Sequence, residues 1–241
     1  MPFVTYGAWG FKGPHRMTTL RSICALLLTI TLASGRAAAV STTQEEIGEA
    51  RRAVPNLDRG AQLFQVCAAC HHVDGSGTSD GLVPRIAGQQ ANVIIKQLVD
   101  YRHDRRWDLR MEHFAERHFL ADAQAIADVA SYVSQLESLT PAATGPGERL
   151  ERGEKIYSRN CRSCHGENAY GGPRGAMPRL AGQHYEYLRR QIYDAVDGRR
   201  PNFPDEHVKL LARLDHDDII DVCDFLSREG AAKDIRVKAT P

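Results

Sequence analysis

The sequence predicts an all-α protein made of two tandem copies of one small helical domain, and three observations carry that expectation. Compared with itself at a shift of 94 residues, the chain superposes Cys67-Ala68-Ala69-Cys70-His71 on Cys161-Arg162-Ser163-Cys164-His165, and Pro84-Arg85-Ile86-Ala87-Gly88-Gln89 on Pro178-Arg179-Leu180-Ala181-Gly182-Gln183. The same shift carries Gln97 to Gln191, Asp100 to Asp194, Arg105 and Arg106 to Arg199 and Arg200, and His113 to His207. Coincidences in such number at one offset mean duplication. Apolar residues recur at helical intervals in both copies, and no strand of useful length is legible.

Each copy reads as three helices joined by long irregular connections. The first helix, near Arg59 to Val66 and again near Arg152 to Asn160, runs into the cysteine motif. The second spans Gln90 to Arg102 and His184 to Val196, with Val93, Ile94, Gln97, Leu98 and Tyr101 at helical spacing. The third spans Asp122 to Leu139 and Asp215 to Arg228. A one-residue slip there aligns Asp128-Val129-Ala130-Ser131-Tyr132 with Asp221-Val222-Cys223-Asp224-Phe225, so Cys223 replaces an alanine and reads as a small buried thiol. The Gly-rich loop from His71 to Pro84 and its counterpart with Gly171-Gly172-Pro173 are long for domains of this size and need something besides themselves to pack on.

The chain has 241 residues, 42% of them hydrophobic and 25% charged, with 31 Lys plus Arg against 30 Asp plus Glu. A formal charge of +1 supplies no basic field for a polyphosphate backbone, which argues against nucleic acid as a partner. Lys12, Arg16 and Arg21 precede an apolar run from Ile23 to Leu32, and Ala37-Ala38-Ala39 offers a signal-peptidase site. The expected organisation is a signal peptide over 1–39, cut after Ala39, and a flexible N-terminal segment over 40–54. Domain 1 follows over 55–140, a Pro/Gly linker over 141–147, domain 2 over 148–230 and a tail over 231–241. The expected location is the periplasm, free or peripheral to the membrane. Loss of Cys24 with the signal leaves Cys67, Cys70, Cys161, Cys164 and Cys223.

Cys-x-x-Cys-His is the attachment signature of c-type haem. Two thiols add to the two haem vinyl groups, and a histidine directly after the second cysteine is placed to ligate the iron. A zinc site could use two cysteine pairs, but each copy is complete in itself. A thioredoxin-like motif would need surrounding strands. A disulfide between neighbouring cysteines would leave His71 and His165 without a reason. The expected cofactors are therefore two covalently bound c-type haems, held by Cys67 and Cys70 and by Cys161 and Cys164, with His71 and His165 as proximal iron ligands.

On these motifs, the Pro-Arg-x-Ala-Gly-Gln segments, the Gln-x-x-Asp helix and Leu214-Asp215-His216-Asp217-Asp218-Ile219, the chain from about Asp58 to Arg228 resembles the class I cytochromes c, in particular the dihaem c4 type. The resemblance implies two tandem class I cytochrome c domains about a pseudo-twofold axis. It also implies that the carbonyls of Pro84 and Pro178 accept a hydrogen bond from the proximal imidazoles, fixing them and raising their ligand strength. Arg85 and Arg179, which follow those prolines, are expected at the haem propionates or the domain interface.

The distal side departs from the family pattern. Family members place a methionine about seven residues before the Leu that opens the last helix, but counting back from Leu214 reaches His207, and no methionine lies between Gly198 and Pro241. His207 is the candidate distal ligand of the second haem. For the first, family habit favours Met111, whereas the 94-residue symmetry pairs His113 with His207; the repeat is taken as the better guide, so His113 is the expected ligand and Met111 the alternative. The remaining histidines, His72, His103, His118, His184 and His216, are expected in surface or loop positions. The functional expectation is a periplasmic carrier of single electrons between redox proteins such as a dehydrogenase, a cytochrome bc1-type complex or a terminal oxidase or reductase, and not an enzyme. The alternative is a haem enzyme or a dehydrogenase's cytochrome subunit, in which an unusual or open second iron site acts on peroxide or a sulfur oxyanion.

Overall fold

The computed structural model describes residues 42–230, so the expected signal peptide and C-terminal tail lie outside the described residues. The described residues are helical, with no strand among them. The first copy contains α1 (Thr43–Arg52), α2 (Leu57–His71), α3 (Ala91–Arg102), α4 (Leu109–Ala115) and α5 (Ala123–Gln135). The second contains α6 (Leu150–Asn160), α7 (Arg162–His165), α8 (Tyr185–Val196), α9 (Asp205–Leu211) and α10 (His216–Arg228).

In each copy the first and last long helices cross at a glycine. A Cβ on Gly60 of α2 would collide with the Asp128 carbonyl of α5, and one on Gly153 of α6 with the Asp221 carbonyl of α10. Only glycine lets the two backbones approach so closely. Around these crossings lie two cores: Phe64, Val99, Ile126 and Val133 in the first copy, and Tyr157, Leu188, Val222 and Leu226 in the second. Cys223 is fully buried in the latter, and burial raises its thiol pKa far above the ordinary value.

A buried aspartate on each last helix ties down the start of the first. Asp128 accepts from the Asn56 backbone N–H at 2.8 Å and pairs with Arg59 at 2.8 Å. Asp221 pairs with Arg149 at 3.0 Å and with Arg152. Satisfied in this way, a buried carboxylate fixes the helix crossing instead of penalising it.

Residues 43–52 are not the flexible segment expected over 40–54. They form α1, started by a capping box in which the Thr42 side chain accepts from the Glu45 N–H and the Glu45 carboxylate accepts from the Thr42 N–H. The helix packs Ile47 and Ala50 into the first core and buries Glu46 against Arg102, His103 and Arg117. The short helices α4 and α9 were also not foreseen; they interrupt what reads in sequence as irregular connection.

The register between the copies changes along the chain. Helices α2 and α6 begin at Leu57 and Leu150, 93 residues apart, whereas Cys67 and Cys161 are 94 apart. The second copy thus carries one extra residue just before its cysteine motif, worth about 100° of helical rotation. The helix absorbs it by breaking at Cys161, which separates α6 from α7, while α2 runs unbroken to His71. Helices α4 and α9, of seven residues each, begin 96 residues apart at Leu109 and Asp205.

Candidate haem sites and their shared interface

The Cys-x-x-Cys-His motifs close α2 in the first copy and form α7 in the second. All four of their thiols are free. Cys67 and Cys161 are half-buried, and burial pushes each thiol up to about 11; Cys70 and Cys164 are exposed. Both histidines are buried, at 7% and 6% exposure. His71 Nδ1 lies 3.0 Å from the Pro84 carbonyl oxygen, and His165 Nδ1 lies 3.0 Å from that of Pro178. A carbonyl only accepts, so Nδ1 carries the proton and Nε2 presents its lone pair. Burial pushes both imidazoles below the ordinary histidine range, against the pull of those carbonyls, and so favours the neutral, ligating form.

The helix ends after each histidine differ in one instructive way. The chain leaves α7 through Gly166 at φ 84°, and leaves α2 through His72 at φ 63°, a positive φ that is strained for a residue with a side chain. His72 is held there by its Nδ1, 3.1 Å from Ser76 Oγ.

The two copies meet across a symmetric polar interface. Gln89 Oε1 accepts from the Arg179 N–H at 2.9 Å, and its Nε2 donates to the Arg179 carbonyl at 2.9 Å. Gln183 repeats both bonds with Arg85, at 2.9 and 2.7 Å. Arg85 and Arg179 therefore serve the interface through their backbones. Their guanidinium groups also lie against the other copy, Arg85 beside Gly182 and Arg179 beside Gly88; Arg85 donates to the Thr140 carbonyl, and Arg179 lies 4.5 Å over the Tyr170 ring.

The interface arginines that sequence reasoning ranked too low are Arg106 and Arg200. Arg106 donates to Gln97 at 2.7 Å, Gln191 at 3.0 Å and Tyr187 at 2.8 Å. Arg200 donates to the same two glutamines, Gln191 at 2.7 Å and Gln97 at 3.2 Å. Both residues recur at the 94-residue shift together with both glutamines, and that fourfold coincidence was the available signal. Among the described residues neither guanidinium meets a carboxylate at ion-pair distance, and Arg200 Nε is buried with no partner. Burial and the neighbouring Arg106 charge push Arg200 down to about 10. Two neighbouring like charges, Arg106 buried and Arg200 half-buried, around an orphaned N–H suit anionic groups, and haem propionates are carboxylates that guanidinium groups hold well.

His184 is not a surface residue. It is 1% exposed; its Nδ1 accepts from the Ala143 N–H of the linker at 3.1 Å, and its Nε2 donates to the Ser76 carbonyl of the first copy at 2.7 Å. A single ring so joins linker, second domain and first domain. Nothing in the spacing pointed to it, because its counterpart in the first copy is Gln90.

On the distal side the copies diverge. The His207 ring is centred 6.2 Å from the His165 ring and 4.9 Å from Phe203. The His113 side chain is exposed, and its ring packs on Phe114, His118 and Phe119 at 5.2, 5.3 and 5.2 Å. Met111 is half-buried in the first turn of α4, where its N–H donates to the capping Asp108 carboxylate at 3.2 Å. No cluster of three or more His, Cys, Asp or Glu among the described residues is placed to hold a bare metal ion.

Each domain thus offers two thiols, a carbonyl-oriented imidazole and an apolar core, beside a shared arginine pair. Those features define a class: helical proteins that hold a covalent haem in each of two fused domains. A family model of cytochrome c matches residues 57–137 and again 150–228, and the chain belongs to the cytochrome c family. It is similar to cytochrome c4 of Pseudomonas aeruginosa, with 32% identity over 175 residues covering 69% of this chain and 85% of the relative. It is 32% identical over 173 residues to the thiosulfate dehydrogenase electron acceptor of Stutzerimonas stutzeri, covering 68% of this chain and 79% of that one. Its fold is similar to the crystal structure of reduced recombinant cytochrome c4 from Pseudomonas stutzeri, with a TM-score of 0.65 and 26% identity over 73% of this chain and 100% of that chain. The cofactors are two covalent c-type haems, and the chain is a dihaem electron-transfer cytochrome.

Proposed function

We propose that the protein is a periplasmic carrier that takes single electrons from one redox protein and delivers them to another. The observation that supports it most is the repetition, in both domains, of a Cys-x-x-Cys-His motif whose histidine is oriented by a proline carbonyl at 3.0 Å. In this reading Cys67, Cys70, Cys161 and Cys164 anchor the haems, and His71 and His165 ligate them. The bound groups supply a one-electron couple between ferric and ferrous iron. Pro84 and Pro178 hold the imidazoles in one tautomer and orientation through either oxidation state. Arg106 and Arg200 neutralise carboxylates at the domain boundary, and the two cores keep water off the imidazoles. No helix among the described residues is long and apolar enough to cross a membrane.

A dehydrogenase on the donor side is supported by the similarity to a protein named as a dehydrogenase's electron acceptor. A bc1-type complex as donor, or a terminal oxidase or reductase as acceptor, fits the same chemistry. The enzymatic alternative needs an open iron site in the second domain, and the nearness of His207 to His165 weighs against it. The test is the intact mass of protein purified from the periplasmic fraction. Two haems per chain are expected, falling to one when Cys161 and Cys164 are both replaced by Ala; a mass with no haem, or haem protein confined to the cytoplasm, overturns the reading.

A further inference from the structure

The distal helices settle an ambiguity that a fixed sequence offset creates. At a shift of 94 residues His207 falls on His113, but α4 and α9 themselves stand 96 residues apart. Both are seven residues long, both follow the Arg-Arg pair of their domain, and both end on a buried apolar residue, Ala115 and Leu211. Counted from the helix start, the third residue is Met111 in one and His207 in the other, while His113 corresponds to Lys209. His113 lies two residues beyond Met111, about 200° around the helix, so the two side chains leave opposite faces. The face that carries His113 is the exposed one, occupied by the cluster with Phe114, His118 and Phe119.

At the start of α4 the capping Asp108 carboxylate holds the Met111 N–H at 3.2 Å. In the second domain the relation between the rings is direct. Two imidazoles on one metal, each bonded at about 2 Å, put their nitrogens about 4 Å apart and their ring centres roughly 6 Å apart. The His165 and His207 ring centres are 6.2 Å apart.

We infer that the two haems have different distal ligands, the Met111 thioether in the first domain and the His207 imidazole in the second, and that the protein is a directional relay. The inference rests on the dihaem reading above. Methionine opposite histidine raises a haem's potential, and a second imidazole leaves it lower. Arg106 and Arg200 each bond both Gln97 and Gln191, so the charge pair at the domain boundary is shared by the two copies. A one-electron donor protein reduces the second domain. With both haems bound, that electron would pass on to the first domain, and a one-electron acceptor protein would remove it there. One electron moves in each step, and no proton or bond change accompanies it.

The test is a redox titration of the purified dihaem protein, followed by visible absorption and by electron paramagnetic resonance. Two separated reduction waves are expected, with both ferric haems low-spin. The weak charge-transfer band given by a sulfur ligand should be present at one-haem intensity and should vanish with the higher-potential wave. His207→Met should about double that band and draw the waves together. Met111→His should abolish the band and also draw them together, while His113→Ala should leave the ferric spectrum unchanged. A high-spin second haem in the unaltered protein, no sulfur band, or a first haem turned high-spin by His113→Ala overturns the inference. Loss of haem mass would instead count against the dihaem reading itself.

Discussion

The first and second haem domains are copies of one sequence that have solved the same packing problem with different local means. Both cross their terminal helices at a glycine and clamp the crossing with a buried aspartate. Both orient the proximal imidazole on a proline carbonyl at the same 3.0 Å. Around that common frame the first domain has α1, and it places His72 at the positive-φ exit where the second places Gly166. The second has an extra residue that breaks its first helix, and a longer approach to its distal helix. The shared elements orient the two motif histidines, whereas the divergent ones border the motif at Cys161 and His72 and shape the short helices α4 and α9.

The largest effect expected within one domain alone comes from Glu46. The side chain is 1% exposed and faces Arg102, His103 and Arg117. Leaving Arg102 and Arg117 without their carboxylate should cost about 3 to 5 kcal/mol, the usual range for breaking a buried pair. Glu46→Gln should therefore lower the first domain's denaturation midpoint while the second domain's haem signal unfolds as before. Although burial alone would raise the Glu46 pKa, the His103 hydrogen bond and the two arginines hold it below the ordinary 4.5. Burial likewise pushes Arg102 down in spite of Glu46, but a guanidinium stays charged throughout the acid range, so the carboxylate carries the pH dependence. A depressed carboxylate stabilises the fold above its unfolded pKa, and that contribution is lost as pH falls through the folded value. Acid unfolding of the first domain should begin below the ordinary glutamate range and lose this component in Glu46→Gln.

The glycine crossings make the opposite prediction, of equality. Gly60→Ala and Gly153→Ala each force a methyl group onto an aspartate carbonyl, an overpacking that costs typically about 1 to 3 kcal/mol. Each should destabilise its own domain by a similar amount in urea titrations read at the haem. A large inequality would mean that the broken helix α6–α7 yields where the unbroken α2 does not.

The smallest effect is expected at the exit from the motif. Strain at a positive φ costs about 1 to 3 kcal/mol, and the His72–Ser76 hydrogen bond returns about 1. His72→Gly, which gives the first domain the exit residue of the second, should stabilise the first domain by about 1 kcal/mol in the same titration. A clear loss of stability would show that the hydrogen bond outweighs the strain.

The sequence by itself determined what depends on covalent chemistry and short spacing. The Cys-x-x-Cys-His motif fixes two thiols and an imidazole within one turn of helix, so candidates for attachment were legible at Cys67 and Cys161 without any fold. The long helices followed from apolar periodicity, and the duplication from the repeated motif. Helix α1 was half-legible: Thr42-x-x-Glu45 is a capping box, but Glu46 is stable inside only because Arg102 and His103, more than fifty residues away, meet it there. That Met111 and His207 hold the same place in their short helices was legible only in the tertiary structure. Insertions of one and two residues shift the sequence offset, whereas the helices return to the same place because each distal helix must bury its own last residue, Ala115 or Leu211, in its domain. The arginine pair and His184 were decided there too, since a buried polar group has a role only once the partners that satisfy it have been brought together from both copies.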